Sequence, residues 1–264
     1  MSVSNSVFYS PVLGQYLSKS GHKAASPADA ASSILEIAKL SRREFLQVLQ
    51  GFDDNLDTLE SSLSSVQEVI GILEEAGGLS VRARNFLQED GGAKKYKDKL
   101  ADLELWYNKT LEKLDAYIEK SEAGGGVNLL KGDSLTILFD PAGQSTLLTQ
   151  GINLTAKGLG IRPPDFSSLH NIQNARIDIT NSIDLAVTLR NIVSSDISTI
   201  KTRREFCETA LSFLTQIHDY LTSAGPNDEP HTYLDLCQHI PDLADGEPLA
   251  AEPQLVTLEN FRTQ

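Results

Sequence analysis

A run of evenly spaced apolar residues limits this chain more than any other feature. Phe45, Leu49, Phe52, Leu56, Leu59, Leu63, Val66, Ile70 and Leu73 follow one another at spacings of 4, 3, 4, 3, 4, 3, 4 and 3. A spacing that averages 3.5 residues places all of them on one narrow stripe of an α-helix, whereas a strand would scatter them over both faces. Ser, Gln, Asp and Glu fill most of the positions between them. A helix with one thin apolar stripe buries it by lying along another helix. From Ser33 to Ala76 such a helix would extend about 65 Å at 1.5 Å per residue. Gly51 is its weak point, at roughly 1 kcal/mol against Ala in mid-helix. Asp53-Asp54, just after it, reads as a cap where the helix restarts. Gly77-Gly78 reads as the stop, and residues 79–90 as a short separate helix ended by Gly91-Gly92.

Two more seams follow. Tyr96, Leu100, Leu103, Tyr107, Leu111, Leu114 and Ile118 predict a second long helix from Ala93 to Ala123, stopped by Gly124-Gly125-Gly126. Trp106 flanks that seam and reads as packing. The third seam includes Ile172, Ile179, Ile183, Ala186, Val193, Ile197, Ile200, Cys207, Leu211, Leu214, Ile217 and Leu221. It predicts a helix from Ser167 to Ala224, about 85 Å long, with no Gly or Pro inside. Between the second and third seams the period changes. Val127-Asn128-Leu129-Leu130, a Lys131-Gly132-Asp133 turn and the stretch 134–140 read as strand, turn, strand. Leu135, Ile137 and Phe139 form its buried face, and Pro141-Ala142-Gly143 is a second turn.

These pieces predict a mainly α fold: an elongated, antiparallel, coiled-coil-like helical bundle over 33–224 with a small β-hairpin unit at 127–161. Residues 1–32 read as a mobile arm and 225–264 as an acidic extension. The latter segment holds five of the ten prolines, and eight acids against one Arg. A seam-packed rod suits side-by-side assembly and builds pockets poorly.

Charge and motif content narrow the function. The net charge of −13 disfavours binding to a phosphate backbone, so no nucleic-acid partner is expected. No apolar run reaches the ~18–20 residues that span a bilayer, so no membrane insertion is expected either. No classical signal peptide is visible. Cys207 and Cys237, the two cysteines, are too few for a disulfide scaffold and read as unpaired thiols. Nucleotide-binding glycine loops, His-Glu-x-x-His and Cys-x-x-Cys are all missing. Gly91-Gly92-Ala93-Lys94-Lys95 precedes a helix and reads as a turn followed by a solvated basic turn. Cys207, His218, Cys237 and His239 lack the spacing of a zinc site, and His218 reads as exposed or at a seam edge. Asn108-Lys109-Thr110 and Asn153-Leu154-Thr155 are glycosylation sequons that matter only in a eukaryotic secretory setting. No catalytic residue, cofactor or metal is expected, and the chain does not read as an enzyme.

Three stretches resemble bacterial flagellins. GVNLLKGDSLTILFDPAGQSTLLTQGINLTAKGLGI (126–161) is similar to the flagellin hairpin segment that opens "FNG-x-x-LL" and closes "dLta-x-gLGl". Gly126, Asn128, Leu129, Leu130, Leu154, Leu159, Gly160 and Ile161 stand at matching places. FDDNLDTLESSLSSVQEVIGILEEAGGLSVRAR (52–84) resembles the helix that precedes it. ARIDITNSIDLAVTLRNIVSSDISTIKTRREFCETALSFLTQIHDYL (175–221) resembles the long C-terminal helix, with Arg203-Arg204-Glu205-Phe206 at its "R-x-x-F" element. The order of parts also agrees, over roughly residues 40–222.

The resemblance implies a flagellin-like core and a structural role in the bacterial flagellum. It also implies flagellin subunits or a second copy as partners, a flagellar export chaperone, and export without a cleaved signal. It places Arg82 and Arg84 on a lateral surface, as a candidate intersubunit contact; the alternative is pairing with Glu74, Glu75 or Glu89. The ends depart from the family. Flagellins carry polymerising helices at both extremities, whereas here Pro11 and Pro27 stand in the first arm and the tail is Pro-rich and acidic. That departure motivates a second expectation, a non-polymerising relative that binds, caps or regulates flagellin.

Overall fold

The computed structural model describes residues 27–121 and 126–223. The expected arm before residue 27, the stop at Gly124-Gly125 and the tail with Cys237 and His239 lie outside the described residues. Six elements follow in chain order: α1 (Pro27–Gln88), α2 (Gly92–Lys95), α3 (Lys97–Lys120), β1 (Ser134–Leu138), β2 (Thr146–Gln150) and α4 (Leu169–Ser223). The described residues are mainly helical, with a two-stranded antiparallel sheet. The described residues divide into two units, Leu40–Leu214 and a second one that holds 27–39 and 215–223.

Helix α1 corrects three expectations. It begins at Pro27 rather than Ser33, in keeping with the fixed φ of proline, which suits a first helical turn. It passes through Gly51, so Asp53-Asp54 is mid-helix and caps nothing. It also passes through Gly77-Gly78 and absorbs the separate helix expected at 79–90. Magnitudes explain the last point. Two mid-helix glycines cost roughly 1 kcal/mol each, whereas full burial of an apolar side chain contributes roughly 1.5–3 kcal/mol. Leu73, Ala76 and Ala83 are buried on either side of the glycine pair. Gly77 also faces α4: a Cβ there would stand 3.4 Å from Ile179 Cγ2. The stop comes at Gly91 and Gly92, whose φ angles of 90° and 39° leave the helical region.

The second expected helix is split. A single turn, α2, ends at Tyr96 (φ −109°), and α3 starts at Lys97 rather than Ala93. Leu100, Leu103, Tyr107, Leu111, Leu114 and Ile118 are all buried, as the seam requires. Helix α4 runs without interruption close to the expected bounds.

Within Leu40–Leu214, contacts fix the directions of the helices. Arg204 pairs with Asp53 and Lys201 with Glu60, while Ile179 meets Gly77, so α4 descends as α1 ascends. Lys113 pairs with Glu75 and Lys99 lies over Phe86, so α3 is also antiparallel to α1. Tyr107 meets Phe166, ahead of α4, edge to face at 5.7 Å.

The region after α3 also differs from expectation. Residues 127–130 form no strand. They belong to a turn tied to the chain beyond β2 by an isolated bridge, Lys131 to Asn153. Asn128 anchors this turn. Its Nδ2 donates to the Ile118 carbonyl at the end of α3 (2.8 Å), and its Oδ1 accepts from the Leu130 N–H (3.0 Å). Leu129 and Leu130 are thereby fully buried. The hairpin is β1–β2, with Ile137 opposite Leu147, around the Pro141-Ala142-Gly143 turn. Ile137 and Thr149 are buried, Leu135 and Leu147 half-buried, and Leu138 and Leu148 exposed on the other face. Phe139 meets Phe52 of α1 edge to face at 5.8 Å.

Among the described residues of the second unit, Lys39 pairs with Glu36 at 2.9 Å and Ala38 is buried. His218 is half-buried with Nδ1 3.3 Å from Asp219 Oδ1.

Candidate functional site

Two open grooves lie between the long helices. One, about 490 Å³, lies between α1 and α4 and is lined by Glu60, Leu63, Ser64, Gln67, Arg190 and Asn191, with Ser194. The other, about 470 Å³, lies between α1 and α3. Its apolar lining includes Leu79, Phe86, Leu103 and Trp106, and its charged lining Glu75, Arg82, Lys99 and Asp102. Neither groove is lined by a His or a Cys.

Arg82 and Arg84 both sit on exposed turns of α1, but the helix separates them. Two residues are about 200° of rotation. Arg82 lines the α1–α3 groove and Arg84 does not. Among the described residues neither forms an ion pair with Glu74, Glu75 or Glu89; Glu75 is taken by Lys113 at 3.2 Å.

Trp106 is not a packing residue. It is 57% exposed at the groove, with Lys109 Nζ 5.1 Å from its ring centre. Phe86 and Tyr96 stack at 5.0 Å, joining the end of α1 to the residue that precedes α3. Lys99 Nζ lies 5.2 Å and 5.4 Å from these two rings, and Lys95 Nζ 4.8 Å from Tyr96. Contacts of that kind hold a cation over a ring face without neutralising it. The sequence signal for this cluster is Phe86, Tyr96 and Lys99, with Trp106 seven residues beyond Lys99. The Gly91-Gly92 break between the two rings conceals that they meet.

Of the four described carboxylates with displaced titration, Asp140, Asp165, Asp178 and Asp196, the last two bind partners outside their own turn. The Arg162 guanidinium grips Asp178 through two bonds of 2.8 Å, and the Arg162 N–H adds a third. This pairing holds the Asp178 carboxyl below the usual range despite partial burial. Burial pushes Asp196 up, against a 2.7 Å bond donated by the Thr149 hydroxyl. Burial also pushes up the phenol of Tyr107, and the charge on Asp178 adds to it. The Tyr107 hydroxyl finds no protein partner among the described residues. These groups are spread over α3, α4 and the hairpin and line neither groove, so they build no common centre.

Cys207 is a free, buried thiol on α4, pushed up by burial. Among the described residues no group of three or more His, Cys, Asp or Glu could hold a metal ion. None of the described helices is long and apolar enough to cross a membrane. No family model matches the chain, and no curated protein is significantly similar to it.

Proposed function

We propose that this chain is a structural, non-catalytic, flagellin-like protein that acts in motility, in or on the bacterial flagellar filament. In this reading the helices form an elongated antiparallel bundle, flagellin core-like, that packs side by side with flagellin subunits or with copies of itself. It leaves the cell by flagellar export, held beforehand by an export chaperone. One observation carries the reading. The order helix, helix, hairpin, long helix coincides with sequence stretches that resemble flagellin, and the Asn128-Leu129-Leu130 turn of the "FNG-x-x-LL"-like stretch is the piece that seats the hairpin on α3. The surface is consistent with a contact protein: Trp106 and Arg82 stand exposed at an open groove, where a buried aromatic anchor forms once a partner covers it.

The test is co-sedimentation. Purified protein is mixed with filaments growing from flagellin seeds, and sheared filaments from motile cells are probed for this chain. Presence in both supports the reading, and absence from both overturns it. The Pro-rich, acidic segment 225–264 favours a second reading, a non-polymerising relative that binds, caps or regulates flagellin. It predicts a particle of fixed size that binds flagellin but never enters filaments.

A further inference from the structure

Charge is distributed unevenly along α1 and the start of α3. Residues 53–81 hold seven acids and no base. Residues 82–99 hold six bases, Arg82, Arg84, Lys94, Lys95, Lys97 and Lys99, against three acids. All six bases are exposed, and among the described residues none is in an ion pair, unlike Lys113, Lys131, Arg162, Lys201 and Arg204. The segment 82–99 therefore carries +3 in a chain of −13; Arg84 lies on the far side of α1, while Arg82 and Lys99 stand at the groove with Asp102, the paired Glu75 and exposed Trp106.

The acids have a matching geometry. Asp57, Glu68, Glu75 and Arg82 are spaced by eleven, seven and seven residues and are all exposed. Eleven residues are about three helical turns and seven about two, so the four fall on one face of α1. Along this stripe the charge changes sign. Glu75 is already paired with Lys113, while Asp57 and Glu68 are in no ion pair among the described residues. Two copies laid in register with parallel α1 helices would oppose like charges. A shift of about 20–40 Å along the helix brings Arg82 of one onto Glu68 or Asp57 of the next, and an antiparallel pair makes the same contact twice.

We propose that the edge of the α1–α3 groove that bears Arg82, Lys99 and Trp106 docks the acidic stripe Asp57–Glu68 of a second copy of this chain. The proposal deepens the side-by-side packing put forward above by naming the two complementary surfaces. Ionic contacts select the register, and Trp106 supplies the apolar anchor.

The experiment uses the full chain and two readouts, sedimentation velocity over a concentration series and fluorescence of Trp106, the single tryptophan. Association with a blue-shifted Trp106 emission is expected at about 0.05 M salt, with loss near 0.5 M. Arg82→Glu with Lys99→Glu should weaken association about tenfold or more, and so should Asp57→Lys with Glu68→Lys. An equimolar mixture of these two variants should associate again, because each then offers the charge the other needs. A monomer at every concentration, or a mixture that fails to recover, overturns the proposal. So does a tail variant, Asp235→Asn with Asp242→Asn and Asp245→Asn, that abolishes association while the stripe reversal leaves it intact. A dimer of fixed size with the charge-swap recovery supports this contact and tells against the filament reading. Filament entry that survives the Arg82 and Lys99 reversals does the opposite.

Discussion

Among the described residues Tyr107 has the largest fully buried side chain, set where α3 meets Phe166, and its hydroxyl finds no protein partner there. A buried polar atom left unpaired costs about 1–3 kcal/mol. Tyr107→Phe keeps the ring and removes that atom, so thermal unfolding should show a midpoint unchanged or raised, by up to about 1 kcal/mol of stability. Tyr107→Ala should cost about 3–5 kcal/mol through the cavity it leaves. Asp178 and Asp196 make opposite statements about pH. Asp178, lowered by Arg162, contributes stability above the ordinary carboxylate range, and that contribution is lost as pH falls through its depressed folded-state value. Asp196, raised by burial, penalises the fold as pH rises through its elevated value. Asp196→Asn keeps an oxygen for the Thr149 hydroxyl and removes the charge. Urea unfolding should therefore show a gain at pH 7 that disappears near pH ~3.5, below the usual carboxylate value. Neither carboxylate was legible as special, since their partners lie in other elements: Thr149 is 47 residues from Asp196. The same holds for Asp53, which reads locally as a cap but in three dimensions meets Arg204 at 3.3 Å.

Elements were legible wherever one seam serves one partner. Every seam position of α3 from Leu100 to Ile118 is buried. On α1 the heptad stripe located the helix, but Val69, Ile72, Ala76 and Ala83 are buried as well. Helix α1 serves both α3 and α4, so its apolar stripe is wider than a two-helix seam. That second partner is also why glycine propensity misplaced its end. A Cβ added at Gly71 or Gly78 would meet nothing within 4 Å, and both residues lie in helical backbone. Gly71→Ala and Gly78→Ala should each stabilise the protein by about 0.5–1 kcal/mol, read as a higher urea midpoint at an unchanged slope. Gly151 is the opposite case. A Cβ there would overlap the carbonyl oxygens of Asp133 and Leu129, and the Gly151 N–H donates to that same Asp133 carbonyl at 2.9 Å. Backbone atoms cannot yield as a flexible side chain does, so Gly151→Ala should cost on the order of 3 kcal/mol and release the hairpin from its turn. Loss of hydrogen-exchange protection at Ile152 and Leu154, whose N–H groups donate to Leu129 and Leu130, would report that release. The strand expected at 127–130 failed for a related reason. Its Leu pair buries through a turn locked by the Asn128 side chain, and no alternation rule describes that arrangement.

Net charge and ion pairing act at different levels of this molecule. The inter-helix pairs of Lys113 with Glu75, Lys201 with Glu60 and Arg204 with Asp53 have partners 41–58% exposed. Exposed pairs contribute roughly 0–1 kcal/mol each and are screened by salt. The fold instead depends on the apolar residues shared among α1, α3, α4 and the hairpin, which form one buried cluster from Val48 to Cys207. Apolar burial does not weaken as salt screens charge. Raising salt from about 0.05 M to about 0.5 M should thus move the unfolding midpoint by no more than about 1 kcal/mol of stability, and in the upward direction if repulsion among the excess acids dominates. The docking of the Arg82 groove onto the Asp57–Glu68 stripe should respond over the same range by dissociating. Calorimetry and sedimentation on one set of samples separate the two. A fold that melts in parallel with the loss of association would mean that copies of the chain stabilise one another's helices, and the surface charges would then belong to the folding unit itself.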